Sequence, residues 1–65
     1  MNRLLNMGLD VGSTTVKLVL LDQNDEIVFS KYRRHYSDIK NTIFELLSET
    51  CKKFSNNYIT IMVTG

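Results

Sequence analysis

The sequence predicts an α/β fold: a three-stranded antiparallel meander, one helix, and a fourth strand parallel to the first, giving the strand order 3-2-1-4. Three observations carry this reading. Apolar residues alternate with polar ones and Gly8 up to Val11, two further β-type runs follow through short polar turns, and an amphipathic helical pattern separates these from a last β-branched run.

Leu5, Met7, Leu9 and Val11 alternate with Asn6, Gly8 and Asp10, placing a first strand at residues 4 to 10 with one face in a core. From Thr15 to Leu21 both faces are apolar, with Val16, Leu18 and Leu20 opposite Val19 and Leu21. This predicts a central strand covered on both sides. Asp22-Gln23-Asn24-Asp25 is a turn cluster. Glu26 to Arg33 then returns as a third strand, with Ile27 and Phe29 on one face and Val28 and Tyr32 on the other.

Ser37 is the expected N-cap of the helix, and Asp38 complements its dipole in the first turn. Ile39, Ile43, Leu46, Leu47, Cys51 and Phe54 recur at helical spacing, which predicts a helix over 38–54 with Cys51 as a buried small hydrophobe. Asn56-Asn57 stops the helix, and Tyr58 to Val63 reads as the fourth strand.

Size and composition narrow the function classes. A chain of 65 residues is at most one small domain, and such a chain buries only about 60% of its unfolded surface. An apolar content of 43% and a charged content of 23% argue against disorder, and a net charge of +1 supplies no global field for nucleic acid or anionic lipid. A single cysteine excludes an internal disulfide and a multi-cysteine metal site, and fits a reducing cytoplasm. No secretion signal is visible, and no run approaches the about 20 apolar residues of a membrane span. Lys31-Tyr32-Arg33-Arg34-His35-Tyr36 interleaves charge with aromatics, but its place on an outer strand fits a defence against edge pairing better than nucleic-acid binding. His35, with no second ligand nearby, reads as a surface or boundary residue.

The chemistry concentrates between Gly8 and Lys17. Asp10 ends the first strand, Gly12 permits a turn conformation that a side chain would penalise, and Ser13, Thr14 and Thr15 gather hydroxyl and N–H groups around one point. Such a set suits a nucleotide phosphate held with Mg2+, with Asp10 orienting the metal and its waters and Lys17 meeting phosphate oxygens. It is also the chemistry of an ordinary hairpin turn. Gly8 lets a ligand or another backbone come close, or is a packing notch.

Asp10-Val11-Gly12-Ser13-Thr14-Thr15, with Lys17 beyond, resembles the first phosphate motif of the superfamily of actin, Hsp70 chaperones and sugar kinases. In that superfamily this hairpin grips the β- and γ-phosphates of ATP. The predicted topology resembles the opening of the ribonuclease-H-like fold, so residues 1–65 are expected to be the incomplete N-terminal part of an actin-like ATPase lobe. A ribonuclease-H-type nuclease would also need carboxylates on the helix, where Glu45 or Glu49 could serve, and at the end of the last strand, which offers Thr64 and Gly65.

Gly8 to Asp22, the late Val63-Thr64-Gly65, and the segment from Lys31 to Ile39 look most like the activator ATPases of 2-hydroxyacyl-CoA dehydratases and benzoyl-CoA reductases, especially the long members. The resemblance implies a cytoplasmic homodimer with a [4Fe-4S] cluster between its subunits, which uses ATP hydrolysis to pass one electron to a 2-hydroxyacyl-CoA dehydratase. On this resemblance Asp10 is the catalytic residue and orients Mg2+ through water, Gly12, Ser13, Thr14 and Thr15 bind phosphate, and Lys17 offsets its charge. The cluster cysteines, second phosphate motif and adenosine segment would lie downstream, leaving the fragment alone inactive. A sugar-kinase-type small-molecule kinase and an actin-like ATP-dependent assembly protein are the alternatives. The fragment is expected to associate with itself through the second strand's doubly apolar faces and the exposed flank of the last strand.

Overall fold

A computed structural model describes residues 4–64; residues 1–3 and Gly65, the end of the Val63-Thr64-Gly65 stretch, lie outside the described part. The elements are β1 (Leu4–Val11), β2 (Thr15–Leu21), β3 (Ile27–Arg34), α1 (Ile39–Lys53) and β4 (Tyr58–Thr64). They form an α/β unit with one four-stranded sheet in the order β3-β2-β1-β4. The first three strands pair antiparallel and β4 runs parallel to β1, as the alternation and the crossover helix predict.

Register builds the core. Met7 pairs with Leu20, Leu9 with Leu18 and Val11 with Val16, so the apolar sets of β1 and β2 share one face. Leu5, Met7, Leu9, Val16, Leu18 and Leu20 are buried there, and α1 lays Leu46 on them. Burying a leucine such as Leu46 contributes about 1.5–3 kcal/mol. Phe29 of β3 meets Phe54 edge-to-face at 5.6 Å, closing the margin of this layer.

The buried line of α1 is Thr42, Leu46 and Thr50. Both threonines are satisfied locally: Thr42 Oγ1 donates to Asp38 O and Thr50 Oγ1 to Leu46 O, each at 2.8 Å. Their methyl groups therefore face the sheet without an unpaired hydroxyl. This rotates the helix away from the expected stripe, and Cys51 is exposed rather than buried. Five residues beyond Leu46, at 3.6 residues per turn, it lies roughly 140° around the helix.

The helix start also differs from expectation. Asp38, not Ser37, is the N-cap, and no acidic residue lies in the first turn. Ser37 has a positive φ of 66°, whereas an N-cap needs an extended backbone. The Asp38 carboxylate accepts from Asn41 Nδ2 at 2.9 Å, so it braces a side chain instead of a backbone N–H.

A bulge corrects the facing of β3. Leu20 pairs with Phe29 but Leu21 with Ile27, leaving Val28 as the extra residue. Ile27 and Phe29 therefore lie on opposite faces, while Val28 and Phe29 both pack against the core. Asp22 prepares this turn: its Oδ1 accepts the N–H groups of Asn24 and Glu26 at 2.8 and 3.0 Å.

Past the bulge, Lys31 and Arg33 reach α1. Lys31 Nζ contacts Glu49 at 2.7 Å, and Arg33 bridges Glu45 at 2.8 Å and Glu49 at 3.1 Å. Hydrogen bonds from Lys31 and then Arg33 hold the Glu49 carboxyl below the usual carboxylate range, and Glu49 in turn raises the Arg33 guanidinium.

Because α1 covers β2 and β3 on one side only, the expectation that β2 is covered on both faces fails. Val19 and Leu21 are half-buried on the open face. On β4, Ile59 packs against the core, but Ile61 is 50%, Met62 72% and Val63 64% exposed, so the rest of the strand is largely uncovered. No helix among the described residues is long and apolar enough to cross a membrane.

Two outcomes follow. Cys51 in the native chain should react with a thiol reagent at nearly the rate of the unfolded chain, which a stopped-flow labelling comparison measures. Glu49, whose folded pKa is depressed, contributes stability above the range of an unfolded carboxylate and loses it as pH falls through the lower folded value. Thermal melts of Glu49→Gln should therefore lie below the parent at neutral pH and converge with it in strong acid.

Candidate functional site

The predicted residues gather at one end of the sheet. Asp10 is the penultimate residue of β1 and pairs with Lys17 of β2 across the ladder, and both are exposed on the face opposite α1. The ion pairs among the described residues join β3 to α1, and Asp10 and Lys17 make no direct ion pair with each other. Thr15 is half-buried at the start of β2, and Ser13 and Thr14 form the exposed loop.

Gly12 needs a different explanation from the one its turn position suggests. Its φ is not left-handed, and an added Cβ would stand 3.4 Å from Thr15 O and 3.7 Å from Thr15 Oγ1, in ordinary contact. The fold alone does not demand glycine there. At Gly8 an added Cβ would meet nothing within 4 Å. Gly8 lies in a groove of about 370 Å³ on the open face, with Asn6, Leu21, Thr60 and Met62 among its walls.

The residue that sequence reasoning misjudged is His35. It is only 6% exposed, and it sits behind the loop rather than on the surface. Its backbone N–H donates to Thr14 O at 3.0 Å, its Nε2 lies 3.1 Å from Gly12 O, and its Nδ1 accepts from Ser37 N–H at 3.0 Å. Because Nδ1 accepts, Nε2 carries the proton and donates to Gly12. Tyr36 and Ser37 adopt positive φ values of 47° and 66° to make this possible, each at a cost of about 1 kcal/mol. Arg34 stacks over the Tyr36 ring at 5.4 Å beside a hollow of about 110 Å³ that also touches Ser13 and Thr14. The one local clue was the loop itself, since a two-residue Ser-Thr connection without Gly or Asn at its centre calls for outside support.

The donor set limits what this end of the sheet can hold. No group of three His, Cys, Asp or Glu side chains among the described residues could hold a metal ion together. Asp10 alone fits Mg2+ in the usual nucleotide arrangement, where waters and phosphate oxygens complete the octahedron. An iron–sulfur cluster does not fit, because the chain's one cysteine, Cys51, is on α1. Glu45 and Glu49 pair with β3 across the opposite face from Asp10, so they do not form a two-metal nuclease site with it. Compared with protein-family models and with curated proteins, the chain matches none.

Gly12→Ala separates the two roles of this position. It should change folding stability by no more than about 0.5 kcal/mol in chemical denaturation, while the added methyl obstructs any phosphate that approaches the loop and weakens its binding.

Proposed function

We propose that this chain is the N-terminal part of an ATPase lobe and that the hairpin from Asp10 to Lys17 binds the phosphates of Mg-ATP. The observation that carries the reading is the exposed Asp10 and Lys17, which face each other across the ladder beside the Ser13-Thr14 loop without a direct ion pair. In a folded protein an exposed carboxylate and ammonium at cross-strand positions can pair with each other. Here they make no direct ion pair, and both are accessible to a ligand that carries a cation and an anion together.

In this reading Asp10 orients the Mg2+ and its waters, and Lys17 offsets charge that develops on the transferred phosphoryl group. Gly12 leaves room for the phosphate, while Ser13, Thr14 and Thr15 offer N–H and hydroxyl donors. The strand order and the parallel β4 support the actin-like, ribonuclease-H-like lobe. The wider proposal is an activator that couples ATP hydrolysis to one-electron transfer from a [4Fe-4S] cluster to a 2-hydroxyacyl-CoA dehydratase. It would work as a homodimer in the cytoplasm. The cluster ligands and the adenosine site belong, in this proposal, to further sequence. A small-molecule kinase is the competing reading.

Calorimetric titration of Mg-ATP into the full-length protein tests this. Asp10→Asn and Thr14→Ala should each weaken binding by roughly ten-fold, the scale of a lost charge-assisted hydrogen bond. Binding accompanied by iron–sulfur absorbance supports the activator, and binding without a cluster supports the kinase. A folded protein that binds no ATP defeats both.

A further inference from the structure

We propose that His35 is a positioning residue that sets the shape of the phosphate loop from behind. Two-residue hairpin loops normally take primed turns with positive φ, which match the twist of the flanking strands. Neither Ser13 nor Thr14 has a positive φ, since outside glycine such values occur only at Asp25, Tyr36 and Ser37 among the described residues. The backbone closes one side of the loop, with Gly12 N–H donating to Thr15 O at 2.8 Å. Gly12 O, which a closed turn would give to Thr15 N–H, goes instead to His35 Nε2. The loop is held by a residue 23 positions away.

His35 grips the loop at two points, through Nε2 at Gly12 O and through its backbone N–H at Thr14 O. In a trans peptide the carbonyl and the following N–H point in opposite directions, and the described residues contain no cis bond. Drawing Gly12 O and Thr14 O toward His35 therefore turns Ser13 N–H and Thr15 N–H the other way. The directions of these two N–H groups are therefore set by His35.

The imidazole is in turn held at both ring nitrogens, and the backbone behind it is tied as well. Ser37 N–H occupies Nδ1, and Asp38 N–H donates to His35 O at 2.7 Å. The two left-handed residues that bring Ser37 round are strained backbone, and such strain persists where surrounding structure overdetermines it. Burial, tautomer and strain converge on two loop carbonyls. For its consequence in phosphate binding this inference rests on the proposed function; the grip itself does not.

Two substitutions separate the contacts. His35→Asn keeps an acceptor near Ser37 N–H but is too short to donate to Gly12 O, whereas His35→Gln places an amide donor near the Nε2 position. Amide exchange followed by NMR on the chain should speed at Gly12 by about ten-fold in His35→Asn, the scale of one lost buried hydrogen bond, and return to within about three-fold of the parent in His35→Gln. The amides of Met7 and Leu20 should not change. The affinity of the full-length protein for Mg-ATP, read by calorimetry, should fall and recover in the same order. Unchanged Gly12 exchange in His35→Asn, or an equal rise at Gly12, Met7 and Leu20, overturns the positioning role. Selective Gly12 exchange with no Mg-ATP binding by any form of the full-length protein supports the grip and overturns the phosphate reading instead.

Discussion

One helix of fifteen residues can shield only part of one face of a four-stranded sheet, and the molecule is arranged around that limit. The shielded side takes the leucine-rich sets of β1 and β2 together with Leu46. The other side carries Asp10, Lys17, Val19 and Leu21, a mixture of charge and apolar surface that no described element covers. The Asp10 and Lys17 charges could not have been placed on the shielded side without burying charge among leucines. Segregation of the two faces follows from alternation alone, because neighbouring residues in a strand point in opposite directions.

Charge is divided in the same way. Lys31 and Arg33 are spent on Glu45 and Glu49, where they fasten the outer strand to the helix. Exposed pairs of this kind contribute little to stability singly, but as a network of three ion pairs they fix where α1 sits over β3. Lys53 over the Phe29 ring, at 5.2 Å, continues the same seam. With these cations engaged, the charges left at the hairpin end are Asp10, Lys17 and Arg34, the last stacked on Tyr36.

The strands, their order and the existence of the helix were legible because each rests on a local period. What the period could not supply was rotation and facing. Thr42 and Thr50 look polar in a sequence, yet a hydroxyl that bonds to the carbonyl four residues back leaves a small apolar side chain for the core, and Cys51 is turned out as a result. The bulge at Val28 reversed the facing of Ile27 because one extra residue inverts a period of two. Asp10, Gly12, Ser13, Thr14, Thr15 and Lys17 were singled out by their spacing and by the motif they resemble, and the sheet brings them to one end. His35 was not, since its hydrogen bonds to Gly12 and Thr14 depend on the β2–β3 register and on two left-handed residues that no local pattern announces.

The bare strand β4 has a consequence for the order of events in folding. The meander and α1 close through neighbouring segments, whereas the β1–β4 ladder joins the two ends of the described chain. Loop-closure entropy makes that ladder the last to form. With α1 resting on β2 and β3, β4 is held mainly by its backbone pairing to β1 and by Ile59 at the core. It is therefore also the first segment to detach. Whenever it does, the flank of β1 becomes an open strand edge beside Leu5, Met7 and Leu9, and the dwell time of that state governs how often this sheet pairs with the wrong strand.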